Sequence, residues 1–229
     1  MYAKKYFIVA ENKKTKKTEG DFFMDTLAIK EILEVCKRLD SRGLVNAYEG
    51  NVSIKRDGYI YITPSGQNKA FLTEEKIVVL EETTMKQVSG VGKPSSELIL
   101  HTGSYQARPD ICAVVHAHPT MLTAFALCGK SVETKAYPEM IGNFKIIPCA
   151  PYGRPGCSEI FDKAREYILK HDIVLLGNHG VVAVGKTVMD AMNKVEAAEA
   201  IAKVLYYAER MGTPVKNLED SEVQMFLDK

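Results

Sequence analysis

ICAVVHAHP, residues 111–119, is the stretch of sequence that decides how the surrounding chain folds. Its first five residues are apolar and Pro119 closes it, a pattern that predicts a short buried strand. Side chains two apart on a strand point to the same face, so we expect His116 and His118 to face one point, with Cα atoms about 6 to 7 Å apart. Two imidazoles placed in this way are typical of a metal chelate.

A third histidine stands later in the chain. His179 lies in a tight turn bounded by glycines, residues 177–180, directly after an apolar run. Zinc sites that carry out chemistry commonly use three protein ligands and leave a position open for water or substrate. Spacing alone leaves both metal binding and an ordinary hydrogen-bonded role open for these three histidines. For the remaining two, His101 and His171, the prediction is a hydrogen-bonded surface or core residue.

Glu97 is the carboxylate predicted to accompany the histidines. It opens a helix directly after Pro94, Ser95 and Ser96, where the free N–H groups of a helix start favour negative charge. A divalent cation lowers the pKa of nearby acids, so a carboxylate beside the metal suits proton transfer. An ordinary glutamate at a helix start would show the same spacing, and the sequence leaves both interpretations open.

Three short polar stretches combine small residues, hydroxyls and glycine: EGNVS at 49–53, TPSG at 63–66 and KPSS at 93–96. Such segments expose backbone N–H groups, and the last one leads into a helix N-terminus, which suits phosphate. Turns and helix caps use the same residues. Because neither a P-loop motif nor GxGxxG is present, the three together predict a phosphorylated small molecule and not a nucleotide.

Composition and charge limit the classes of partner. The chain has 229 residues, of which 46% are hydrophobic and 26% charged, as expected for one compact soluble domain. Thirty Lys and Arg stand against 29 Asp and Glu, so the net charge of +1 provides no global field for nucleic acid or an anionic membrane. No apolar run approaches the roughly 18 residues needed to span a bilayer.

The cysteines and the N-terminus indicate the compartment. Five scattered cysteines form no CxxC pair, which predicts reduced thiols and a cytoplasmic location. The segment 1–24 is rich in lysine, and its apolar stretch is too short for a signal peptide. It is predicted to be a solvated leader ahead of the domain at 25–229.

Hydrophobic periodicity and turn residues predict a mixture of hairpins and helices. Asp57-Gly58 is a hairpin signal between strands at 51–54 and 59–63. With few regular βαβ units, this mixture predicts an α/β fold in which helices cover a largely antiparallel sheet. Further strands are predicted near 77–80, 144–147, 173–176 and 181–184. Helices are predicted near 25–42, 95–107 (with Leu98, Ile99 and Tyr105 on its apolar side), 121–127, 158–170 and 187–211.

Seven motifs occur together, namely EGNVS, ITPSG, KPSSE, VVHAHP, YPEM, PCAPYG and GNHG. In this combination the chain resembles the class II aldolases of the aldolase/adducin superfamily, most closely those that act on L-fuculose 1-phosphate. The similarity extends from about Asp25 to the C-terminal helix. It implies a single-domain, three-layer α/β/α fold with a mostly antiparallel central sheet.

The resemblance also implies a metal site and a reaction. His116, His118 and His179 would bind one zinc ion per subunit, and Glu97 would complete the resting zinc shell and then act as acid and base. The implied reaction is the reversible cleavage of a ketose 1-phosphate to dihydroxyacetone phosphate and an aldehyde. L-fuculose 1-phosphate or a related deoxyketose 1-phosphate is the implied substrate.

Further roles are implied for the phosphate group and for subunit contacts. Tyr137 of the YPEM motif would be a proton donor that reaches a neighbouring subunit's site in a homotetramer of C4 symmetry. The tail, 220–229, has Phe226 but lacks the tyrosine that closes over the substrate in several relatives. The implied phosphate-binding residues are Gly50, Asn51, Thr63, Ser65, Gly66, Ser95 and Ser96.

The same scaffold and histidines serve other reactions. L-ribulose-phosphate 4-epimerases resemble this chain but typically have Asp where Glu97 stands, which favours the aldolase. Methylthioribulose-phosphate dehydratases and tetronate-phosphate decarboxylases share the histidines and remain alternatives. Adducin-like members are non-catalytic assembly modules that lack the zinc ligands, and such a role predicts no bound metal.

Overall fold

One eight-stranded sheet forms the centre of the computed structural model, which describes residues 25–228. The strands are β1 (Asn51–Arg56), β2 (Tyr59–Ile62), β3 (Val78–Glu81), β4 (Gln87–Ser89), β5 (Ala113–Ala117), β6 (Cys149–Ala150), β7 (Ile173–Leu176) and β8 (Gly180–Gly185). They lie in the order β4-β3-β2-β1-β5-β8-β7-β6. Every pairing is antiparallel except the one between β6 and β7.

Helices of the described residues cover both faces of this sheet. They are α1 (Thr26–Ser41), α2 (Leu98–Ala107), α3 (Thr120–Leu127), α4 (Pro138–Asn143), α5 (Ser158–Ile168), α6 (Val188–Ala208) and α7 (Asp220–Leu227). The helices α1, α3 and α6 bury their apolar sides against one face, and α2 and α5 pack against the other. The predicted three-layer α/β/α fold with a mostly antiparallel sheet is therefore confirmed.

Strand β5 lies near the middle of the sheet and contributes to both layers. Ala113, Val115 and Ala117 belong to the core on one face, and Val114 belongs to the core on the other. Successive side chains of a strand alternate, so His116 shares the face of Val114. The apolar run before His116 is continuous because both faces of this strand are buried.

The predicted hairpin is confirmed. Strands β1 and β2 are antiparallel, and the turn residues Asp57 and Gly58 have φ values of 53° and 83°. Positive φ at both central residues defines a type I′ turn, which Asp-Gly tolerates and which matches the twist of the two strands. The other side of β1 pairs with β5 and brings Asn51 opposite His116.

One predicted strand is wrong. At the end of α4, the N–H groups of Phe144 and Lys145 both donate to the carbonyl of Met140. Lys145 then has a φ of 60°, so the backbone turns within 144–147, where extended chain was predicted. Only Ile147 of this segment forms a bridge, and the strand that follows, β6, is two residues long.

The helix predicted over 95–107 begins later, at Leu98. Leu98 and Tyr105 contact the buried core as predicted. Ile99 does not: it is 41% exposed, because the buried stripe of α2 runs through positions 100, 101, 104 and 105. The edge strand β4 has no counterpart among the predicted strands, since its mostly exposed residues give no burial pattern.

Other predictions concern the ends of the chain and its cysteines. The leader at 1–24 lies outside the described residues, so the boundary of the domain stays a prediction. All five cysteines are free thiols, as their scatter predicts. Between Asp25 and Asp228, no helix is long and apolar enough to cross a membrane.

Candidate metal and phosphate site

Three histidines from two paired strands meet at one end of those strands. β5 pairs with β8 in antiparallel register, with His116 opposite Val182, so residue 118 comes level with the turn that precedes β8. His179 lies in that turn. The centroids of the three rings, including that of His118, are 4.6 to 4.9 Å apart. One nitrogen of each ring lies within 4.8 Å of the others.

Glycine at position 180 allows this close approach. A Cβ atom at that position would lie 2.7 Å from the carbonyl oxygen of Ala117 and 3.3 Å from Cγ of His118. A side chain there would therefore push the turn away from β5 and separate His179 from the other two histidines. The glycine after the histidine is thus a packing requirement of the site as well as part of a motif.

Hydrogen bonding decides which nitrogen of His116 faces the cluster. Its Nδ1–H donates to the carbonyl of Val181 at 2.9 Å, so Nε2 is presented to the other histidines. Nε2 of His118 lies 2.8 Å from it. On the other side of the His118 ring, Nδ1 lies 3.9 Å from a carboxylate oxygen of Glu49. The hydrogen bond from His116 to Val181 is an outer contact of the kind that orients metal-binding imidazoles.

The protonation states suit metal ligands. Burial, reinforced by the charge of nearby His116, lowers the pKa of His118 to about 3 and the pKa of His179 to about 4. Both rings are therefore neutral at pH 7 and have a lone pair available for a cation. Burial alone would lower the pKa of His116, but the adjacent Glu97 carboxylate outweighs that effect and the pKa is raised.

The carboxylate of Glu97 completes the cluster. Glu97 occupies the N-cap position of α2 and is 7% exposed, and its Oε2 lies 3.1 Å from Nε2 of His116. Its Oε1 lies 3.4 Å from Nε2 of His179 and has no hydrogen-bond partner in the described part of the chain. Burial would raise the pKa of Glu97, but His116 and a hydrogen bond from Asn51 lower it well below its usual range. One unsatisfied carboxylate oxygen beside three imidazoles fits a divalent ion such as zinc.

A directed chain of hydrogen bonds runs inward from Glu97. Asn51 Nδ2 donates to Glu97 Oε2 at 2.7 Å, so its Oδ1 accepts from Nε2–H of His101. Burial lowers the pKa of His101 to about 3, so the ring is neutral and its Nδ1 accepts from the Ser53 hydroxyl at 2.6 Å. Ser53 Oγ in turn accepts from the Tyr105 hydroxyl at 2.6 Å. His101 is thus a buried, hydrogen-bonded residue, one of the roles that its spacing predicted.

Replacing Tyr105 by Phe tests whether this chain stabilises the fold. The change leaves the buried Ser53 oxygen without its donor, so we expect the free energy of unfolding to fall by about 1 to 3 kcal/mol. Urea unfolding of the two proteins measures the difference. Tyr207→Phe removes a hydroxyl from an exposed ring on α6 and should change the value by less than about 0.5 kcal/mol. An equal loss of unfolding free energy in both variants would contradict the stabilising role of this chain of hydrogen bonds.

A cavity of about 360 Å³ opens beside the histidines. Glu97, His118 and His179 contribute to its wall, and the rest comes largely from the three polar stretches. The structure therefore brings three of the four predicted metal ligands to the cavity that most of the predicted phosphate residues line, and His116 lies buried behind them. Six of the seven predicted phosphate-binding residues line it, namely Gly50, Asn51, Ser65, Gly66, Ser95 and Ser96.

The seventh, Thr63, lies behind the cavity wall. It is fully buried, and its Oγ1 accepts from the N–H of Val52, so its side chain does not face the cavity. Its carbonyl accepts from the N–H of Ser95 at 3.1 Å, and the N–H of Ser65 donates to the carbonyl of Lys93 at 3.0 Å. Thr63 therefore holds the TPSG and KPSS segments side by side.

Tyr137 does not line this cavity. It immediately precedes α4, is partly buried, and packs against the core formed by α1, α3 and α6. Within one chain the structure therefore does not bring Tyr137 to the histidine cluster.

Two charged residues of the cavity wall were absent from the predicted site, Glu49 and Lys69. Glu49 precedes the GN pair, and its position beside a motif was an available signal. Lys69 gives no such signal, because QNKAF at 67–71 resembles an ordinary polar loop with a surface lysine.

Comparison with known proteins supplies the family. The model of the class II aldolase and adducin N-terminal domain matches residues 30–206. The chain belongs to this family. L-fuculose phosphate aldolase of Methanococcus vannielii is 35% identical over 184 residues, which cover 77% of this chain and 94% of that protein. A 3-oxo-tetronate 4-phosphate decarboxylase of Haemophilus influenzae is 31% identical over 210 residues, covering 88% of this chain and 97% of that protein.

A solved structure supports the assignment. The chain matches an L-fuculose 1-phosphate aldolase with a TM-score of 0.81 and 29% sequence identity, over 90% of this chain and 96% of the other. The resemblance drawn from the seven motifs is therefore confirmed at the level of the family. Class II aldolases depend on a metal ion, and the three-histidine cluster of this family member could hold it.

Proposed function

We propose that this chain is a zinc-dependent class II aldolase that reversibly cleaves a ketose 1-phosphate to dihydroxyacetone phosphate and an aldehyde. The substrate is L-fuculose 1-phosphate or a related deoxyketose 1-phosphate. One observation carries the proposal: a cluster of three imidazoles and a carboxylate opens, through Glu97, His118 and His179, into the same cavity as three segments suited to binding a phosphate. A cation and a phosphate bound in these two parts of the cavity would hold the two ends of one small substrate.

His116, His118, His179 and Glu97 are the residues that would hold the ion, one per subunit. When bound, zinc would supply Lewis-acid stabilisation of the negative charge that develops on the substrate's carbonyl and hydroxyl oxygens, an effect of several kcal/mol. A Schiff-base lysine is then unnecessary for the reaction.

Glu97 is proposed to move the proton. Its Oε2 is held by Asn51, whereas its Oε1 has no hydrogen-bond partner within 25–228. Glu97 would complete the metal's shell in the resting protein and, once substrate takes that position, accept the proton of the substrate's C4 hydroxyl. Loss of that proton lets the C4–O bond become a carbonyl as the C3–C4 bond breaks, which leaves its electron pair in the enediolate of dihydroxyacetone phosphate. Protonation at C3 then completes the cleavage.

Tyr137 is proposed to donate that second proton from a neighbouring subunit. Its absence from the cavity wall of its own chain supports this arrangement, since a donor at the start of α4 would then have to serve another copy. The proposal includes a C4 homotetramer with its sites at subunit interfaces. Sedimentation at the mass of a single subunit would contradict it.

A substrate panel tests the reaction. Zinc-loaded protein is incubated with several ketose 1-phosphates, L-ribulose 5-phosphate and a 3-oxo-tetronate 4-phosphate, and the products are separated. We expect dihydroxyacetone phosphate from at least one ketose 1-phosphate, and chelated protein as a control should release none. Isomerisation without cleavage would identify an epimerase, and carbon dioxide a decarboxylase, the activity named for the Haemophilus influenzae relative.

Metal content separates the enzymes from the assembly module. Zinc bound at one ion per chain in protein purified without added metal supports an enzyme of this family. Absence of metal, together with no detectable reaction of any substrate in the panel or of methylthioribulose phosphate, would favour an adducin-like module.

A further inference from the structure

Lys69 is a buried lysine in the wall of the site. It begins a 3₁₀ turn, Lys69–Phe71, and is 3% exposed. Its Nζ donates to the backbone carbonyl of Gln67 at 2.6 Å. No carboxylate within residues 25–228 forms an ion pair with it. A buried ammonium group without a counter-charge is costly, so such a residue is unusual in a purely structural role.

The surroundings of Lys69 do not supply the missing charge. Burial lowers the pKa of Lys69, and the nearby titratable group is the thiol of Cys36 on α1. Burial raises the pKa of that thiol to about 12, so it is neutral at pH 7. Among residues 25–228, therefore, no negative charge pairs with the Lys69 ammonium.

The wall of the cavity contains few groups that could balance the charge of a phosphate. Ser65, Gly66, Ser95 and Ser96 line it with hydroxyl and backbone groups that carry no formal charge. Lys69 is the one lysine or arginine among the described residues of the wall. A phosphate dianion entering this cavity would thus meet hydrogen-bond donors from four small residues and positive charge from Lys69.

We propose that Lys69 forms an ion pair with the phosphate group of the substrate and selects phosphorylated over unphosphorylated sugars. This inference rests on the proposed function, because it assigns the phosphate end of the same substrate. It predicts that Lys69→Met, in which a side chain of similar length lacks the charge, changes phosphate affinity and stability in opposite directions. Phosphate binding should weaken, whereas stability without phosphate should be unchanged or higher, since a buried charge has been removed.

The test uses the full-length, zinc-loaded protein. For Lys69→Met we expect KM for the ketose 1-phosphate to rise by about 10- to 100-fold, the scale of one charge-assisted contact, with a much smaller change in kcat. Calorimetric titration with inorganic phosphate should show a similar loss of affinity. Equal zinc content and an unfolding midpoint in urea at or above that of the wild type establish that the site is intact.

Lys76→Met is the matched control. Lys76 also donates to Gln67, through the side-chain oxygen at 3.4 Å, but it is only half-buried and does not line the cavity. KM and the phosphate affinity should stay within about 2-fold of the wild type, which excludes a general effect of charge in this loop. A fall in the stability of Lys69→Met with unchanged phosphate affinity would overturn the inference and make Lys69 a structural residue.

The two proposals fail in different ways. If the wild type cleaves no ketose 1-phosphate but Lys69→Met still loses phosphate affinity, the aldolase proposal is rejected and the Lys69 inference holds. If the wild type cleaves its substrate and Lys69→Met does so with unchanged KM and phosphate affinity, the aldolase holds and the Lys69 inference is rejected.

Discussion

Glu97→Gln is expected to lower kcat by on the order of 10²-fold or more while the protein keeps most of its metal. The amide has nearly the shape of the carboxylate, and its oxygen can still accept the hydrogen bond that Asn51 Nδ2 gives to Oε2. The group left at the position of Oε1 is then NH₂, which cannot accept a proton. The variant therefore removes the base and preserves its packing and most of the metal's ligands.

Steady-state rates and metal content of the same preparation measure this result. Glu166→Gln is the matched control, because Glu166 is an exposed residue of α5 and the same change there should leave both quantities unaffected. A turnover within a few-fold of the wild type would remove Glu97 from the mechanism. Loss of metal together with activity would instead make Glu97 chiefly a ligand.

The sequence predicted those parts of the site that depend on local patterns. The alternation in β5 placed His116 and His118 close together, and the glycines at 177–180 indicated a turn around His179. Hairpin geometry at Asp57-Gly58 followed from two residues that tolerate positive φ. In each case the determining interaction lies within a few residues of chain, so spacing carries the information.

Contacts between distant segments were beyond such patterns. The chain Asn51–His101–Ser53 joins α2 to β1 across about 50 positions, and spacing could assign His101 no partner. Thr63 matched a phosphate motif but faces the protein interior, because pairing of its backbone with the neighbouring segment turns its hydroxyl toward Val52. Such roles are decided by which segments pack together.

The 144–147 segment shows the competing effect. Its apolar residues suggest a strand, but two N–H groups already bond to the carbonyl of Met140 and close α4. The hydrogen bonds that close the helix thus set the backbone conformation of this segment, and that conformation is not the extended one that pairing in a sheet requires. Ile147 is apolar because its side chain is buried in the core, and its backbone forms a single bridge to Val132.

The site depends on β5 in two ways. Through its pairing with β8 it sets the distance between the HxH pair and His179, and through its pairing with β1 it places Asn51 beside Glu97. The metal cluster and the group that holds the proposed base are therefore fixed by the same central strand.

His118→Ala is expected to lose metal and activity together. His118 Nε2 lies 2.8 Å from Nε2 of His116, so its removal leaves two imidazoles and Glu97 around the position that the ion would occupy. Loss of an outer-shell partner alone costs roughly 10- to 100-fold in metal affinity, and we expect loss of a direct ligand to cost more. Titration of the metal-free protein with zinc, beside an activity assay, measures both effects.

Two controls separate ligand loss from misfolding. His171→Ala removes a histidine that lies outside the cluster and should leave zinc affinity and rate unchanged. Excess zinc should restore part of the activity of His118→Ala, because mass action fills a weakened site but does not refold a damaged one. Full activity of His118→Ala with one tightly bound zinc would refute the assignment of this histidine as a ligand. In the same zinc series, added zinc should not raise the low kcat of Glu97→Gln, since that variant lacks the base and not the ion.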